Sequence, residues 1–160
     1  MKALIVHDSV YGNTERLART MADAIDGESK VLHVNEVNLS DLESIDLLIV
    51  GSPTRGGGPT PSVKDFLNRF TEHDIKGINV AAFDTRVSWR WVRIFGYAAE
   101  KIASALKEKG GTLMAPPVGF FVKGNKDSII DGELERAASW AREITGGSLH
   151  DTQKRNGTNN

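Results

Sequence analysis

The sequence contains no cysteine, which excludes disulfide bonds, iron–sulfur ligation and thiol catalysis. It also has little net charge, because 20 lysines and arginines face 21 aspartates and glutamates, and the two signs are mixed along the chain. Overall electrostatics therefore indicates neither nucleic acid nor an anionic membrane as a partner. No apolar run approaches the ~20 residues of a membrane span, and no basic segment followed by a long apolar stretch opens the chain. These absences predict a soluble, cytoplasmic protein with no membrane span.

The sequence also lacks a catalytic constellation. Its four histidines, at positions 7, 33, 73 and 150, show no metal-ligand spacing. His7, Asp8 and Ser9 are residue types of a hydrolase, but neighbours along a strand point to opposite faces. A Gly-x-Ser-x-Gly elbow and a Walker lysine are absent as well. We therefore expect no catalytic residues and no metal ligands.

Apolar runs alternate with segments of helical periodicity along the whole chain. This alternation predicts an α/β domain in which helices cover both faces of a parallel sheet, and 160 residues match one such domain. The predicted strands are Lys2 to His7, Lys30 to Val34, Leu47 to Val50, Val80 to Phe83, and a fifth that begins near Thr112 and continues through Gly119 to Val122 after an interruption at Pro116 and Pro117. The predicted helices run from about Thr14 to Ile25, from Pro61 onward, from about Gly96 to Lys109, and from Glu133 to Ile144. Residues 146–160 are small and polar and predict a mobile tail after a domain of residues 1–145.

The loop after the first strand has the composition of a phosphate-binding loop. Gly12 permits a tight turn, and the first turn of the following helix leaves its N–H groups free for an anion. The side chains of Ser9, Asn13 and Thr14 can each donate a further hydrogen bond. The alternative is that Asn13 or Thr14 only caps the helix.

Two later loops, Gly51 to Pro61 and Asp84 to Trp91, follow the third and fourth strands and are too elaborate for simple connections. The carboxyl ends of parallel strands meet at one edge of a sheet, beside the point where the strand order reverses. We therefore expect the three loops to converge there on one ligand.

These loops resemble those of the flavodoxin family over residues 1 to about 145. Ser9-Val-Tyr-Gly-Asn-Thr14 matches the family's hydroxyl-x-hydroxyl-Gly-x-Thr phosphate loop, Gly51-Ser-Pro-Thr54 resembles its second flavin loop, and Asp84-Thr-Arg86 stands where its third begins. The resemblance, which is to the short-chain kind, implies a doubly wound, five-stranded parallel sheet of order 2-1-3-4-5. It also implies FMN at the junction of the first and third strands. A phosphoacceptor receiver domain, which shares this strand order, needs an aspartate where this chain has Gly51-Ser52.

The resemblance implies a set of residues that bind the cofactor. Ser9 to Thr14 hold the phosphate, Ser52 and Thr54 help with the phosphate or ribityl chain, and Asp84 to Arg86 meet the pyrimidine edge. Trp89 is the candidate for stacking on the ring, and Arg55 occupies a position where an aromatic residue often stands. The complete set is Ser9, Val10, Tyr11, Gly12, Asn13, Thr14, Ser52, Pro53, Thr54, Arg55, Gly56, Gly57, Asp84, Thr85, Arg86 and Trp89.

Three details of this set have two interpretations each. Tyr11 stands where the family has Ser or Thr, so its phenol either reaches the phosphate or only packs. The peptide at Gly56 or Gly57 either changes orientation when the flavin is reduced or belongs to a flexible loop. The aromatic residues of the third loop, Trp89, Trp91 and Phe95, either stack on the flavin or form a core stripe.

The implied function is electron transfer between redox partner proteins. The alternative is an FMN-dependent reductase that uses a quinone or a nicotinamide nucleotide, and a third class is an interaction module that lost the flavin. Four cations in the ring-side loops, Arg55, Arg86, Arg90 and Arg93, are opposed there only by Asp84. They predict a midpoint potential less negative than that of a strongly acidic flavodoxin. The basic, aromatic stretch 88–95 is a candidate surface for an acidic redox partner, with an anionic membrane or simple solvation as alternatives.

Overall fold

A computed structural model of the chain describes residues 1–87 and 96–146. Its strands are β1 Lys2–His7, β2 Glu28–His33, β3 Leu47–Pro53, β4 Asn79–Arg86, β5 Thr112–Leu113 and β6 Val118–Phe121. Its helices are α1 Asn13–Ala24, α2 Pro61–Arg69, α3 Glu72–Ile75, α4 Ala98–Glu108 and α5 Glu133–Ile144, with 3₁₀ turns at Val34–Glu36 and Leu39–Leu42. In these two ranges no helix is long and apolar enough to cross a membrane. The predicted tail lies, after Gly146, outside the described residues.

The sheet is parallel, and its strand order β2-β1-β3-β4-β5 confirms the predicted order 2-1-3-4-5. The fifth strand consists of two short pieces, since β5 pairs with the beginning of β4 and β6 pairs with its end. Pro116 and Pro117 lie between the two pieces. Proline has no N–H for the ladder, and the predicted interruption is therefore found where the sequence indicated it.

Each face of the sheet has its own hydrophobic core because side chains alternate along the central strands. Leu4 and Val6 point to the core that α2 and α4 cover, and Ile5 points to the core that α1 and α5 cover. Every residue of Leu47 to Val50 is buried, as expected for a central strand covered on both sides. This packing fixes the positions at which the strands end, and therefore the positions of the loops.

The central strands extend further than predicted. β3 ends at Pro53 instead of Val50, and β4 ends at Arg86 instead of Phe83. The extension depends on Gly51, because a Cβ at that position would lie 2.1 Å from the Phe83 ring of the neighbouring strand. Residues 51–53 and 84–86, which we predicted to be loop, are therefore the ends of two strands.

Other predicted boundaries differ by one or two residues. Helix α1 begins and ends one residue earlier than predicted, β2 is Glu28–His33 instead of Lys30 to Val34, and α4 is Ala98–Glu108 instead of Gly96 to Lys109. The predicted helix Glu133 to Ile144 is confirmed. The short helix α3 was not predicted, because its four residues are too few for a periodic pattern.

Side chains of α5 cover the edge of the sheet at β6. The Phe121 N–H donates to a carboxylate oxygen of Glu133 at 2.8 Å, and Arg136 donates to the carbonyl oxygen of Gly119. Arg136 and Glu133 also form an ion pair at 2.6 Å, and the guanidinium lies 4.6 Å from the centre of the Phe120 ring. The hydrogen bond from Arg136 lowers the pKa of Glu133. Two outward backbone groups of the last strand, the Phe121 N–H and the Gly119 carbonyl, are therefore bonded to side chains of α5.

Candidate functional site

The loops at the carboxyl ends of the strands enclose a cavity of about 190 Å³. It brings together residues of all three predicted loops, as expected from the topology. Its lining consists of Ser9, Val10, Tyr11, Asn13, Thr14, Pro53, Thr54, Arg55, Thr85, Arg86, Val87, Val122 and Gly124. All but the last three belong to the set predicted from the sequence.

Gly12 shapes the first loop. It is the N-cap of α1, with φ 91° and ψ −6°, and its N–H donates to the Ser9 hydroxyl at 2.9 Å. Among the described residues, no side chain caps this helix. The alternative in which Asn13 or Thr14 is the cap is therefore wrong, because the left-handed glycine occupies that position.

The side chains of Asn13 and Thr14 are buried and bonded to later parts of the chain. The Asn13 amide donates to the carbonyl oxygen of Asn125 at 2.9 Å and lies 3.3 Å from the Ser128 hydroxyl. The Thr14 and Thr85 hydroxyls are 3.1 Å apart, so one of their two hydrogens remains for another acceptor. The Asn13 amide is therefore engaged in holding the loop, whereas the threonine pair keeps a free donor.

The first loop presents unused backbone donors. Within the described part of the chain, no acceptor is found for the backbone N–H groups of Val10, Tyr11, Asn13, Thr14 and Glu15. Three of them belong to the first turn of α1, where the helix dipole adds partial positive charge. Such an arrangement of donors is suited to an anion such as a phosphate group.

Two histidines lie behind this loop, on the side of the sheet that α1 covers. The rings of His7 and His33 meet edge to face at 5.6 Å. His7 is buried, and its Nδ1 has no partner among residues 1–87 and 96–146. Burial lowers the pKa of His7, with a smaller opposing effect from Glu15. His7 is therefore a neutral side chain at ordinary pH.

The second loop contains a tight hairpin. Arg55 and Gly58 exchange two backbone hydrogen bonds of 2.8 and 3.1 Å, and Gly56 and Gly57 between them have φ values of 56° and 78°. Two consecutive positive φ angles are typical of the two-residue turn that suits a β-hairpin, and glycine adopts them without strain. Neither Gly56 nor Gly57 lines the cavity. The glycine segment is a closed turn in this structure.

The polar residues of the second loop have different roles: Ser52 bonds within the chain, whereas Thr54 and Arg55 line the cavity. The Ser52 hydroxyl donates to the Pro53 carbonyl at 2.9 Å and accepts the Thr60 N–H at 3.0 Å, so the structure does not bring it to the cavity. Thr54 lines the cavity while its hydroxyl accepts the first N–H of α4. Arg55 extends over the mouth, with its guanidinium carbon 6.0 Å from the centre of the Tyr11 ring.

The beginning of the third loop contains a buried ion pair. Asp84 accepts two hydrogen bonds from Arg86, of 2.7 and 2.8 Å, and a third from the Ala99 N–H. The guanidinium carbon lies 3.5 Å from the centre of the Tyr97 ring. Asp84 is fully buried and does not line the cavity, and it compensates the charge of Arg86.

This ion pair shows which of the four predicted cations Asp84 opposes. Arg86 is no free cation, and Arg55 is the remaining member of that set within the described residues. The predicted residues Trp89, Arg90, Trp91, Arg93 and Phe95 lie outside the described residues.

Three cavity residues were missed by the sequence analysis: Val87, Val122 and Gly124. Val87 follows the unpredicted extension of β4, and the other two follow β6. The sequence could have indicated Val122 and Gly124, because they follow the predicted fifth strand, and the carboxyl end of that strand lies at the same edge of the sheet as the three loops.

The comparisons with known proteins all find similarity to the same family. A family model described as Flavodoxin matches residues 5–140. The flavodoxin of Maridesulfovibrio salexigens is 28% identical in an alignment of 156 positions that covers 89% of this chain and 96% of that protein. The flavodoxin of Aquifex aeolicus is 31% identical over 114 residues, or 69% of this chain and 51% of the relative, so the matched region spans about half its length. A solved flavodoxin structure from the domain Archaea has a TM-score of 0.77 and 24% identity and covers 91% of this chain and 97% of its own.

Proposed function

Because the chain belongs to the flavodoxin family, we propose that it binds FMN in the cavity at the strand ends and carries electrons between redox partner proteins. Members of this family hold FMN at the junction of the first and third strands, where the strand order reverses. When bound, the isoalloxazine ring supplies the redox chemistry, and the protein binds and orients it. This agrees with a sequence that contains no catalytic set of its own.

One observation supports the proposal above the others: the group of unused N–H donors at the beginning of α1. This helix N-terminus has five backbone donors without an acceptor in the described part of the chain, and it is suited to a phosphate, which offers several acceptor oxygens and negative charge. The donors lie between Ser9 and Glu15, and the Ser9 hydroxyl retains its own hydrogen because it only accepts from Gly12. The residues present therefore fit the phosphate end of FMN.

The remaining cavity residues suit the other parts of the cofactor. The free hydrogen of the Thr14–Thr85 hydroxyl pair is a donor near the phosphate loop, and Thr54 adds a hydroxyl from the second loop. Val87 and Val122 supply apolar surface for a flat ring. We propose Tyr11 as a further wall, since its ring is half exposed beside Arg55 at the cavity mouth.

Titration of the purified protein with FMN and with riboflavin, which lacks the phosphate, tests this function. We expect riboflavin to bind at least about 100-fold more weakly, because two or more charge-assisted hydrogen bonds of about 1.5 kcal/mol each are lost. Quenching of flavin fluorescence gives both dissociation constants. Equal affinities would contradict the phosphate placement, and no binding of either flavin would contradict the function itself.

A second candidate is an FMN-dependent NAD(P)H or quinone reductase. The observation in its favour is Arg55, an exposed cation at the cavity mouth that forms no ion pair with any described residue. Such a cation attracts an anionic substrate. Mixing the FMN-loaded protein with NADH or NADPH and a quinone separates the two functions. Turnover well above that of free FMN supports the reductase, and turnover at the level of free FMN supports the electron carrier.

A further inference from the structure

The carboxylate of Asp8 lies behind the first loop and has a partner on three different segments. Oδ1 accepts the Ser9 N–H at 2.8 Å and lies 3.1 Å from Nε2 of His33. Oδ2 accepts a hydrogen bond of 2.6 Å from the Thr60 hydroxyl. The side chain is 15% exposed and does not line the cavity. Asp8 therefore joins the first loop, β2 and the beginning of α2.

The contact with His33 has a defined direction. Nδ1 of His33 accepts the Asn35 N–H at 3.1 Å. A neutral imidazole has one donor and one acceptor nitrogen, so Nε2 carries the hydrogen and donates to Asp8. Each oxygen of the Asp8 carboxylate is therefore engaged by a donor, and its orientation is fixed.

These bonds determine which donors the first loop presents. The Ser9 N–H is turned back to Asp8, and the Gly12 N–H is turned back to the Ser9 hydroxyl. The two inward bonds close the loop, and the N–H groups that follow Ser9 and Gly12 remain free. Without the bond to Asp8, no comparable hydrogen bond would hold the Ser9 N–H in this orientation.

The bond to Thr60 connects the two walls of the cavity. Thr60 is the N-cap of α2, where its hydroxyl also accepts the Val63 N–H. Its own N–H donates to Ser52, in the strand that leads into the second loop. Asp8 thus holds the first loop in register with the segment that carries Pro53, Thr54 and Arg55.

The negative charge of Asp8 is unfavourable beside a site for an anion. A side chain that acted only through its charge would therefore be positively charged at this position. We propose that Asp8 is a positioning residue, which fixes the first loop in the conformation that binds the FMN phosphate and joins it to the second loop through Thr60. This inference rests on the proposed function, and it concerns the hydrogen bonds of the carboxylate, not its charge.

The test compares the phosphate preference, defined as the dissociation constant of riboflavin divided by that of FMN. We expect Asp8→Ala to lower this ratio at least about 10-fold, since the loop loses its charged acceptor. We expect Asp8→Asn to keep the wild-type ratio or exceed it, because the amide oxygen still accepts the Ser9 N–H and the charge is gone. A purely electrostatic role predicts a raised ratio in both variants.

Asp74→Ala is the matched control. Oδ2 of Asp74 accepts the Thr71 N–H at 2.6 Å and is 3.1 Å from the Thr71 hydroxyl, so this aspartate makes the same pair of bonds away from the cavity. We expect its phosphate preference to equal that of the wild type. Thr60→Val provides a second measurement if Asp8→Ala does not fold, and we expect it to lower the ratio about 3- to 10-fold.

The outcomes separate this inference from the proposed function. A wild-type protein that shows no preference for FMN over riboflavin contradicts the proposed function. A wild-type protein with the preference, together with an unchanged ratio in Asp8→Ala or, where that variant is unfolded, in Thr60→Val, overturns the positioning role alone. A ratio in Asp8→Asn as low as in Asp8→Ala also overturns it, because the acceptor geometry would then have no effect.

Discussion

Gly12 and Gly132 form a matched pair that tests the role of the first loop. Each is the N-cap of a 12-residue helix, with φ and ψ of 91° and −6° at Gly12 and of 88° and −13° at Gly132. A Cβ added at either position meets no atom within 4 Å. Replacement by alanine therefore introduces backbone strain of about 1–2 kcal/mol and no clash. Gly12 begins the proposed phosphate site, whereas Gly132 lies away from the cavity.

We expect Gly132→Ala to lose stability alone, and Gly12→Ala to lose stability, affinity for FMN, or part of each. If the unliganded alanine variant keeps the strained loop, its melting temperature falls by about 2–8 °C for a chain of this size. If the loop relaxes instead, binding has to restore the strained conformation, and the dissociation constant of FMN rises by up to about 5- to 30-fold. The strain must appear in one of these two quantities or be divided between them.

Thermal unfolding of the unliganded proteins and titration with FMN measure the two quantities. Gly132→Ala should show the loss of stability with unchanged affinity. A Gly12→Ala protein as stable as the wild type and with the same FMN affinity would refute the reasoning. A Gly132→Ala protein with weakened FMN binding would refute the assignment of the site to the first loop.

Three further predictions concern charge. Arg136 lowers the pKa of Glu133, so this pair stabilises the fold above the ordinary glutamate pKa, and the free energy of unfolding should fall as the pH drops below it. In urea unfolding between pH 3.5 and 7, Glu133→Gln should therefore lose less stability with falling pH than the wild type. The lowered pKa of His7 means that the unfolded chain binds its proton first as the pH falls below about 6.5, so His7→Leu should lose less stability than the wild type between pH 7 and 5. Arg55→Gln should make the midpoint potential of bound FMN more negative, and Arg19→Gln, a change on the exposed surface of α1, should leave it unchanged; equal potentials in both variants would contradict the role of Arg55.

The strand order could be predicted because burial and connection rules act on whole segments. Leu47 to Val50 is apolar without interruption, which only a strand covered on both faces requires. Its true end at Pro53 could not be predicted in the same way, since pairing beyond Val50 depends on the fit between Gly51 and Phe83 of another strand. Long-range pairs of this kind leave no local pattern in the sequence.

An error in a strand end also affected the predicted site. If β4 ended at Phe83, Asp84 and Arg86 would both be loop residues that face a ligand, whereas in the structure Arg86 lines the cavity and Asp84 does not. In the extended strand they occupy positions i and i+2 on one face, where opposite charges pair. The local capping rules failed at Asn13 for a related reason, because its amide is engaged by Asn125, a residue more than a hundred positions away.

The α5 side chains that cover β6 have a consequence for how copies of this chain meet. A strand at the end of a sheet normally offers a row of free N–H and C=O groups to which another chain can add. Here Glu133 and Arg136 occupy such groups at Phe121 and Gly119, so a second molecule that extended the sheet would first have to displace an ion pair. Protonation of Glu133 removes its charge and so weakens that ion pair. The acidity that weakens the fold therefore also loosens the cover of this edge, where the Phe121 carbonyl oxygen keeps the bond that it accepts from the Ile130 N–H.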